Sequence, residues 1–352
     1  MPDQVKLFCQ SGYQVYVETG AGNGSGFSDK EYQEAGAEIV STSEAWSASP
    51  FVVKFKSPGP HEYDYLHPDM NVGAFFHAEG NPELTKVLCD CGVTAYAFEF
   101  FRTMDGFFPM SFADSEIEGK MAVLYGAYHL QSHLGGSGVL LTDVVGVKQP
   151  KVVVIGYGTA GGAAVRLAVA LGAEVVVLGT NQEKLRRFQA TVPPSVRCLV
   201  NSQEVLAREL NDADLVIGAI QISTYDTPPM IDEELVKMMK PGSMIVDVTC
   251  GYGSGYLPTF SQFTSFNQPV YERFGVLHCK IDLLPAAVPA TTTRAVSPLV
   301  APYLLNLGES IFNTNFFDGI SAAGKIIENG KIVHYEVARH MEMVDQEGAQ
   351  HV

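Results

Sequence analysis

Cations are scarce in this sequence: 23 Lys and Arg stand against 39 Asp and Glu, a formal net charge of −16. So negative a chain repels phosphate backbones and anionic headgroups, which argues against nucleic acid or a membrane surface as main partner. An anionic substrate would need a local basic pocket. Cysteine is sparse as well, with Cys9, Cys89, Cys91, Cys198, Cys250 and Cys279 spread over 352 residues. That density excludes a disulfide scaffold, and the thiols read as reduced and structural. Cys89-Asp90-Cys91 lacks finger spacing and has no second pair, so no metal site is expected. No apolar run reaches the roughly 18 residues that span a bilayer, and no secretory leader is recognised. The expectation is a soluble, cytoplasmic protein. Internal repeats and low-complexity linkers are also missing.

What is present is apolar and regularly patterned. Hydrophobic residues make up 46% and charged residues 18% of the chain, enough for two cores in two domains. "YQVYVETGAG" reads as a strand and a glycine turn, and "SDKEYQEAGAEIV" as a helix and a strand. Ser28 and Glu31 have the spacing of a capping box. "PFVVKFKSP" is a strand closed by Pro58, and residues 70–99 give strand, loop, helix and strand. A long amphipathic stretch, 115–136, reads as a connecting helix, and "RAVSPLVAPYLLNLGESIFN" is helical too. Strands alternating with helices build α/β folds around parallel sheets.

The sharpest motif is Gly156-Tyr157-Gly158-Thr159-Ala160-Gly161. A G-x-G-x-x-G alone is weak, but this one sits between strand Val152–Ile155 and a helix predicted over Gly162–Leu171, with strand Glu174–Leu178 following. Gly156 permits a tight turn, Gly158 lets a pyrophosphate approach the backbone, and Gly161 lets helix and strand pack closely. Thr159 and Ala160 lie at the helix start, where free N–H groups collect. The expectation is a dinucleotide-binding unit.

Such units ordinarily end their second strand in Asp or Glu, which grips the ribose hydroxyls of NAD. Here "VVVLGTNQEKL" places Gly179, Thr180 and Asn181 at that corner. Without the acid a 2′-phosphate is not repelled, and Gly179 leaves space. Lys184, Arg186 and Arg187 follow closely. The reading therefore leans to NADP over NAD.

Beyond these residues, the chain resembles the alanine dehydrogenase and transhydrogenase α-subunit family from about residue 2 to about residue 340. The resemblance rests on "VYVETGAGNGSGFSDKEYQEAGAEIV", "VVKFKSP", "FFHAEGNPELT", "DLVIGAI", "MKPGSMIVDV" and "AVPATTT", in that order. It implies two Rossmann-like parallel-sheet α/β domains with the active site in the cleft between them. Residues 1–118 with 286–352 would form the substrate domain and 119–285 the dinucleotide domain. It implies that Lys56 binds the substrate carboxylate or oxo group and that His77 hydrogen-bonds the substrate oxygen and transfers a proton. Hydride attack on an imine or ketone needs such a cation and such a donor. Lys54, two residues from Lys56, would share its strand face and is a second candidate. Ala219 and Ile220, closing "DLVIGAI", are expected on the dinucleotide. A homo-oligomer is expected by analogy alone.

Three departures shape the functional expectation. No residue matches the arginine that clamps the substrate carboxylate in the family; Arg102 is a candidate for that role, with a plain surface position as the alternative. At "VDVTCGYGSG", alanine dehydrogenases carry an aspartate on the amine side of the reaction, where this chain has Cys250-Gly251-Tyr252. At "KIDLLPAAVP" they carry Asn-Met-Pro, whereas Asp282 resembles the saccharopine dehydrogenases and is a candidate polar contact for cofactor or substrate. Phe75, Phe76, Phe100 and Phe101 suggest a larger apolar substrate, if they are not core. The expected activity is an NAD(P)-dependent oxidoreductase of amino or imino acids other than simple alanine. A cyclodeaminase-like enzyme with bound NAD(P) and a non-catalytic dinucleotide-binding module are the alternatives.

Overall fold

A computed structural model describes residues 1–220, 231–249 and 263–350. In chain order the elements that matter begin with α1 (Pro2–Gln10), β1 (Tyr16–Glu18), α2 (Asp29–Glu34), β2 (Glu38–Val40), α3 (Thr42–Ser47) and β3 (Phe51–Lys56). Next come β4 (Asn71–Phe75), α4 (Pro82–Asp90), β5 (Thr94–Ala97), α5 (Phe112–His129), β6 (Lys151–Ile155), α6 (Thr159–Ala170) and β7 (Glu174–Gly179). They continue with α7 (Gln182–Gln189), β8 (Arg197–Val200), α8 (Gln203–Leu210), β9 (Leu215–Gly218), α9 (Glu233–Lys237), β10 (Met244–Asp247), β11 (Tyr271–Arg273) and β12 (Val276–Cys279). Last are α10 (Pro289–Phe312), α11 (Gly319–Ala323), β13 (Lys325–Glu328), β14 (Lys331–Ile332) and α12 (Tyr335–Gln350). The chain is an α/β protein that divides into two units, Met1–Ala113 with Val288–Val352, and Asp114–Ala287.

In the first unit the sheet order is β14-β13-β5-β4-β3. The strands β3, β4 and β5 run parallel, and β13 returns antiparallel beside β5. Alternation along the strands gives each face its own core. Val72, Ala74, Ala95 and Ala97 pack with Trp46, Leu84, Leu88 and Val337, and Phe75, Tyr96 and Phe98 pack with Phe101 and Leu307. A smaller parallel pair, β1 and β2, is covered by Val5 and Tyr32. The capping box of Ser28 and Glu31 forms at α2, and a second one, Ser41 with Glu44, opens α3.

In the second unit the order is β11-β12-β10-β9-β6-β7-β8, parallel except for the β11 edge. Chain order runs outward in both directions from β6 and β9, so the switch point lies between them. Ligands of such sheets collect outside the carboxyl ends at that place. One correction concerns α6, which starts at Thr159 and not at Gly162. The last fingerprint glycine is therefore inside the first turn of the helix. Among the described residues no helix is long and apolar enough to cross a membrane.

At the end of β6 away from the fingerprint, an ionic cluster surrounds the buried Lys151 and Glu209. Lys151, at the start of β6, lies 2.9 Å from Glu209 and also pairs with Asp212, while Arg197 and Arg208 reach Glu209 at 2.8 Å and 2.9 Å respectively. Burial opposes ionisation of Glu209. Hydrogen bonds from Arg197, Lys151 and Arg208 outweigh it and hold the pKa down to about 2, against an ordinary 4.5. A depressed folded-state pKa stabilises the fold above the unfolded value and is lost as pH falls through the folded one. Glu209→Ala should cost about 3 kcal/mol at neutral pH, because Lys151 loses its buried partner. Urea denaturation should show that difference shrinking as pH drops from 4.5 towards about 2. A difference that does not change over that range would dismiss the charge as its origin.

Candidate active site

In the first unit, three parallel strands end at one sheet edge and each delivers a polar residue there. Lys56 closes β3 opposite Phe75, the last residue of β4, and the Ser57 N–H donates to the Phe75 carbonyl at 3.0 Å. His77 follows two residues after Phe75. Its backbone turns left-handed, φ +47°, a conformation that non-glycine residues adopt only when held. Glu99, two residues beyond β5, supplies the hold. Its carboxylate accepts the His77 N–H at 2.6 Å and the Phe76 N–H at 3.2 Å. The His77 side chain is buried against the Phe75 ring, centroids 6.5 Å apart. A half-buried lysine, a buried imidazole and a carboxylate thus share one edge. A cation and an imidazole are what hydride transfer to a C=O or C=N bond requires. Nothing in the sequence singles out Glu99, since the backbone N–H groups that it holds carry no signature in residue type.

Other candidates from the sequence have structural surroundings of their own. Lys54 pairs with Glu62 and lies 5.4 Å from the Trp46 ring. The register of β3 on β4 also shifts between Val53 and Lys56, so the strand is not regular there. Lys54 is a structural ion-pair residue. Arg102 is exposed above the Phe108 ring, 5.6 Å away, which leaves it the surface position. Phe75, Phe76 and Phe101 are buried in the two cores, and Phe100 stacks on His334 at 4.1 Å. These rings build the domain, so the argument from them for a larger substrate fails.

In the second unit, the fingerprint turn works by close backbone contact. Gly156 has φ +102°, and a Cβ there would meet the Ala219 carbonyl oxygen at 2.2 Å. A Cβ on Gly161 would lie 2.1 Å from the Gly156 oxygen and 3.5 Å from the Ala219 methyl. Gly119 on α5 brings that helix against the Ala160 carbonyl, 1.9 Å from where its Cβ would be. Gly158 meets nothing within 4 Å and is exposed, which leaves its backbone open to a ligand. Gly158 precedes Thr159 and Ala160, the first residues of α6. Ile220 beside this turn is fixed through its N–H, which donates to the Thr249 hydroxyl at 3.3 Å. The Thr249 N–H in turn donates to Asp247, and Asp247 is paired at 2.9 Å with the buried Lys280. That network also has no local signature in the sequence, because Ile220 is 29 residues from Thr249 and Asp247 is 33 from Lys280.

The corner at Gly179 differs from its expectation. A Cβ there would lie 2.1 Å from the Tyr157 ring, so the space that glycine vacates is already filled. The Tyr157 hydroxyl donates to the Asn181 carbonyl at 3.3 Å. The Asn181 side-chain oxygen caps α7 by accepting the Lys184 N–H at 2.9 Å, and Thr180 is exposed. Arg187 pairs with Glu183 on the helix surface, and Lys184 and Arg186 are exposed. Asp282 is exposed three residues past β12. Cys250, Gly251 and Tyr252 lie outside the described residues.

Comparison with known proteins identifies the family and the fold. The alanine dehydrogenase/PNT N-terminal domain family matches residues 1–111, and its C-terminal domain family matches 122–335. The chain is 37% identical to the alanine dehydrogenase of Bacillus subtilis (strain 168) over 345 residues, 97% of this chain and 90% of that one. A solved L-alanine dehydrogenase superposes with a TM-score of 0.87 at 35% identity, covering 98% of this chain and 95% of the other. The transhydrogenase from Sinorhizobium meliloti shares the fold, with a TM-score of 0.75 at 22% identity over 95% and 94% of the two chains.

If Glu99 sets the conformation of His77, Glu99→Ala should lower kcat/KM by roughly 10- to 100-fold, the equivalent of the ~1.5–3 kcal/mol of a charged hydrogen bond. NADH affinity should hold, since Glu99 is on the other unit from the fingerprint. Kinetics with a fluorescence titration of NADH separates the two effects, and an unchanged kcat/KM would remove Glu99 from the site.

Proposed function

The chain belongs to the alanine dehydrogenase/PNT family, and from that premise we propose a particular use of its amino-acid oxidoreductase chemistry. It is an enzyme that uses a nicotinamide dinucleotide and acts on the C–N bond of an amino acid or imine. The finer reading is that its preferred substrate is not alanine with pyruvate but a bulkier or cyclic imine, or a 2-oxo acid condensed with an amine. The observation that carries the assignment of roles is the shared strand edge of Lys56 and His77. The preference rests on Gly251, which stands where alanine dehydrogenases carry the amine-side aspartate. An ammonium group without that carboxylate loses its partner, whereas an imine nitrogen within a ring or chain makes less demand on one.

The dinucleotide, when bound, supplies or takes up a hydride at the substrate α-carbon. Lys56 neutralises the carboxylate and polarises the acceptor bond. His77 donates the proton that balances the added hydride, and takes it back in the reverse direction. The choice between NAD and NADP turns on the corner at Gly179. Loss of the acid there favours NADP, and the Tyr157 ring opposes it.

The test is a screen of 2-oxo acids with ammonium or amines, using NADH and NADPH and followed at the nicotinamide absorbance. Lys56→Ala and His77→Ala should each lower kcat/KM at least about 100-fold, the lower range for loss of a general acid or base. Pyruvate with ammonium as the fastest pair would overturn the substrate preference. Product formation without net NADPH turnover would replace the redox reading with an internal-cofactor one.

A further inference from the structure

Tyr157 stands between the first two glycines of the fingerprint, at the end of β6. Its ring carbons Cε1, Cδ1 and Cζ come within 2.1, 2.7 and 3.2 Å of the point where a side chain on Gly179 would begin. That point is the root of the acidic side chain that ordinarily reads the ribose hydroxyls. We propose that Tyr157 selects the dinucleotide: its ring takes the place of the missing acid, fills the 2′ corner and makes the chain prefer NAD(H) to NADP(H). The proposal rests on the oxidoreductase reading above and narrows its cofactor.

Three features carry it. First, Gly179 is required by the ring and not by a phosphate, because any side chain at 179 would collide with Tyr157. Second, the ring is anchored. Its hydroxyl donates to the Asn181 carbonyl at 3.3 Å, and its centroid lies 5.8 Å from that of Phe188 on α7. An anchored ring resists displacement by an incoming group. Third, two of the polar groups beside the corner are engaged on α7, while Lys184 and Arg186 lie exposed on the surface of that helix. Asn181 caps α7, and the Arg187 guanidinium pairs with Glu183, whose own carboxylate lies in the first turn of that helix. A 2′-phosphate needs both room and a cation placed to bind it bidentately. A 2′-hydroxyl needs neither.

The experiment is equilibrium titration of NADH and NADPH by nicotinamide fluorescence on wild type, Tyr157→Ala, Tyr157→Ser and Tyr157→Phe. Tyr157 is half-buried and makes none of the glycine contacts that close the turn, and circular dichroism verifies folding. Wild type should bind NADH at least about fivefold more tightly than NADPH. Tyr157→Phe should keep that ratio, since the ring and not the hydroxyl excludes the phosphate. The Ala and Ser variants should bring it to about one or reverse it. Equal or tighter NADPH binding by wild type, or a ratio in both small variants within about twofold of wild type, overturns the proposal. If the wild type binds neither nucleotide, the oxidoreductase reading itself falls and this one with it.

Discussion

The cofactor half depends on how closely backbone can approach backbone at one turn. A strand, a helix and a neighbouring strand converge where Gly156, Gly161 and Ala219 meet, with separations that no Cβ tolerates. Van der Waals repulsion is steep, so a single methyl would push α6 away from the sheet. The helix N-terminus would lose its aim at the switch point between β6 and β9. Gly119 extends the same constraint to α5, which packs against the Ala160 carbonyl. The two glycines at the turn itself are recognisable as a motif, whereas Gly119 is 37 residues before it and has no signature of its own.

Electrostatics divides the chain's charge between two jobs. The −16 of the sequence gives no local field for an anionic substrate. A cation is brought to the site edge by topology instead, because β3 ends in Lys56 beside the end of β4. The carboxylate of Glu99 serves the same edge differently. It binds two backbone N–H groups and so stabilises an unusual turn that carries an imidazole. At the far end of β6 in the other sheet, Lys151 and Glu209 are charges with a structural task, paired deeply enough to stabilise but remote from the fingerprint. Charged residues close in type thus take different places, at the strand ends of one sheet or paired within the other.

Substitutions that look like losses in one dimension can be exchanges in three. Gly179 reads as a vacated acid, yet the ring of Tyr157 occupies the vacancy from 22 residues upstream. The two residues belong together, since Tyr157 fits only where 179 has no side chain. Lys280 is a similar case: a cation buried at the end of β12 is tolerable because Asp247 ends the adjacent β10.

Much of the architecture was written in the sequence alone. Short apolar runs and glycine or proline stops located β3 to β7, because a strand buried within a parallel sheet imposes that pattern locally. The fingerprint was legible for the same reason, since a tight turn and a helix start are properties of consecutive residues. The family motifs pointed to Lys56 and His77, and the structure sets both at the ends of adjacent strands. Tertiary structure alone decided that Lys54 is spoken for by Glu62, that the phenylalanines are core, that Glu99 braces His77, and that Tyr157 fills the corner at Gly179. Those are contacts between residues distant in sequence, set by strand order and side-chain reach, and no local pattern of residue types encodes either.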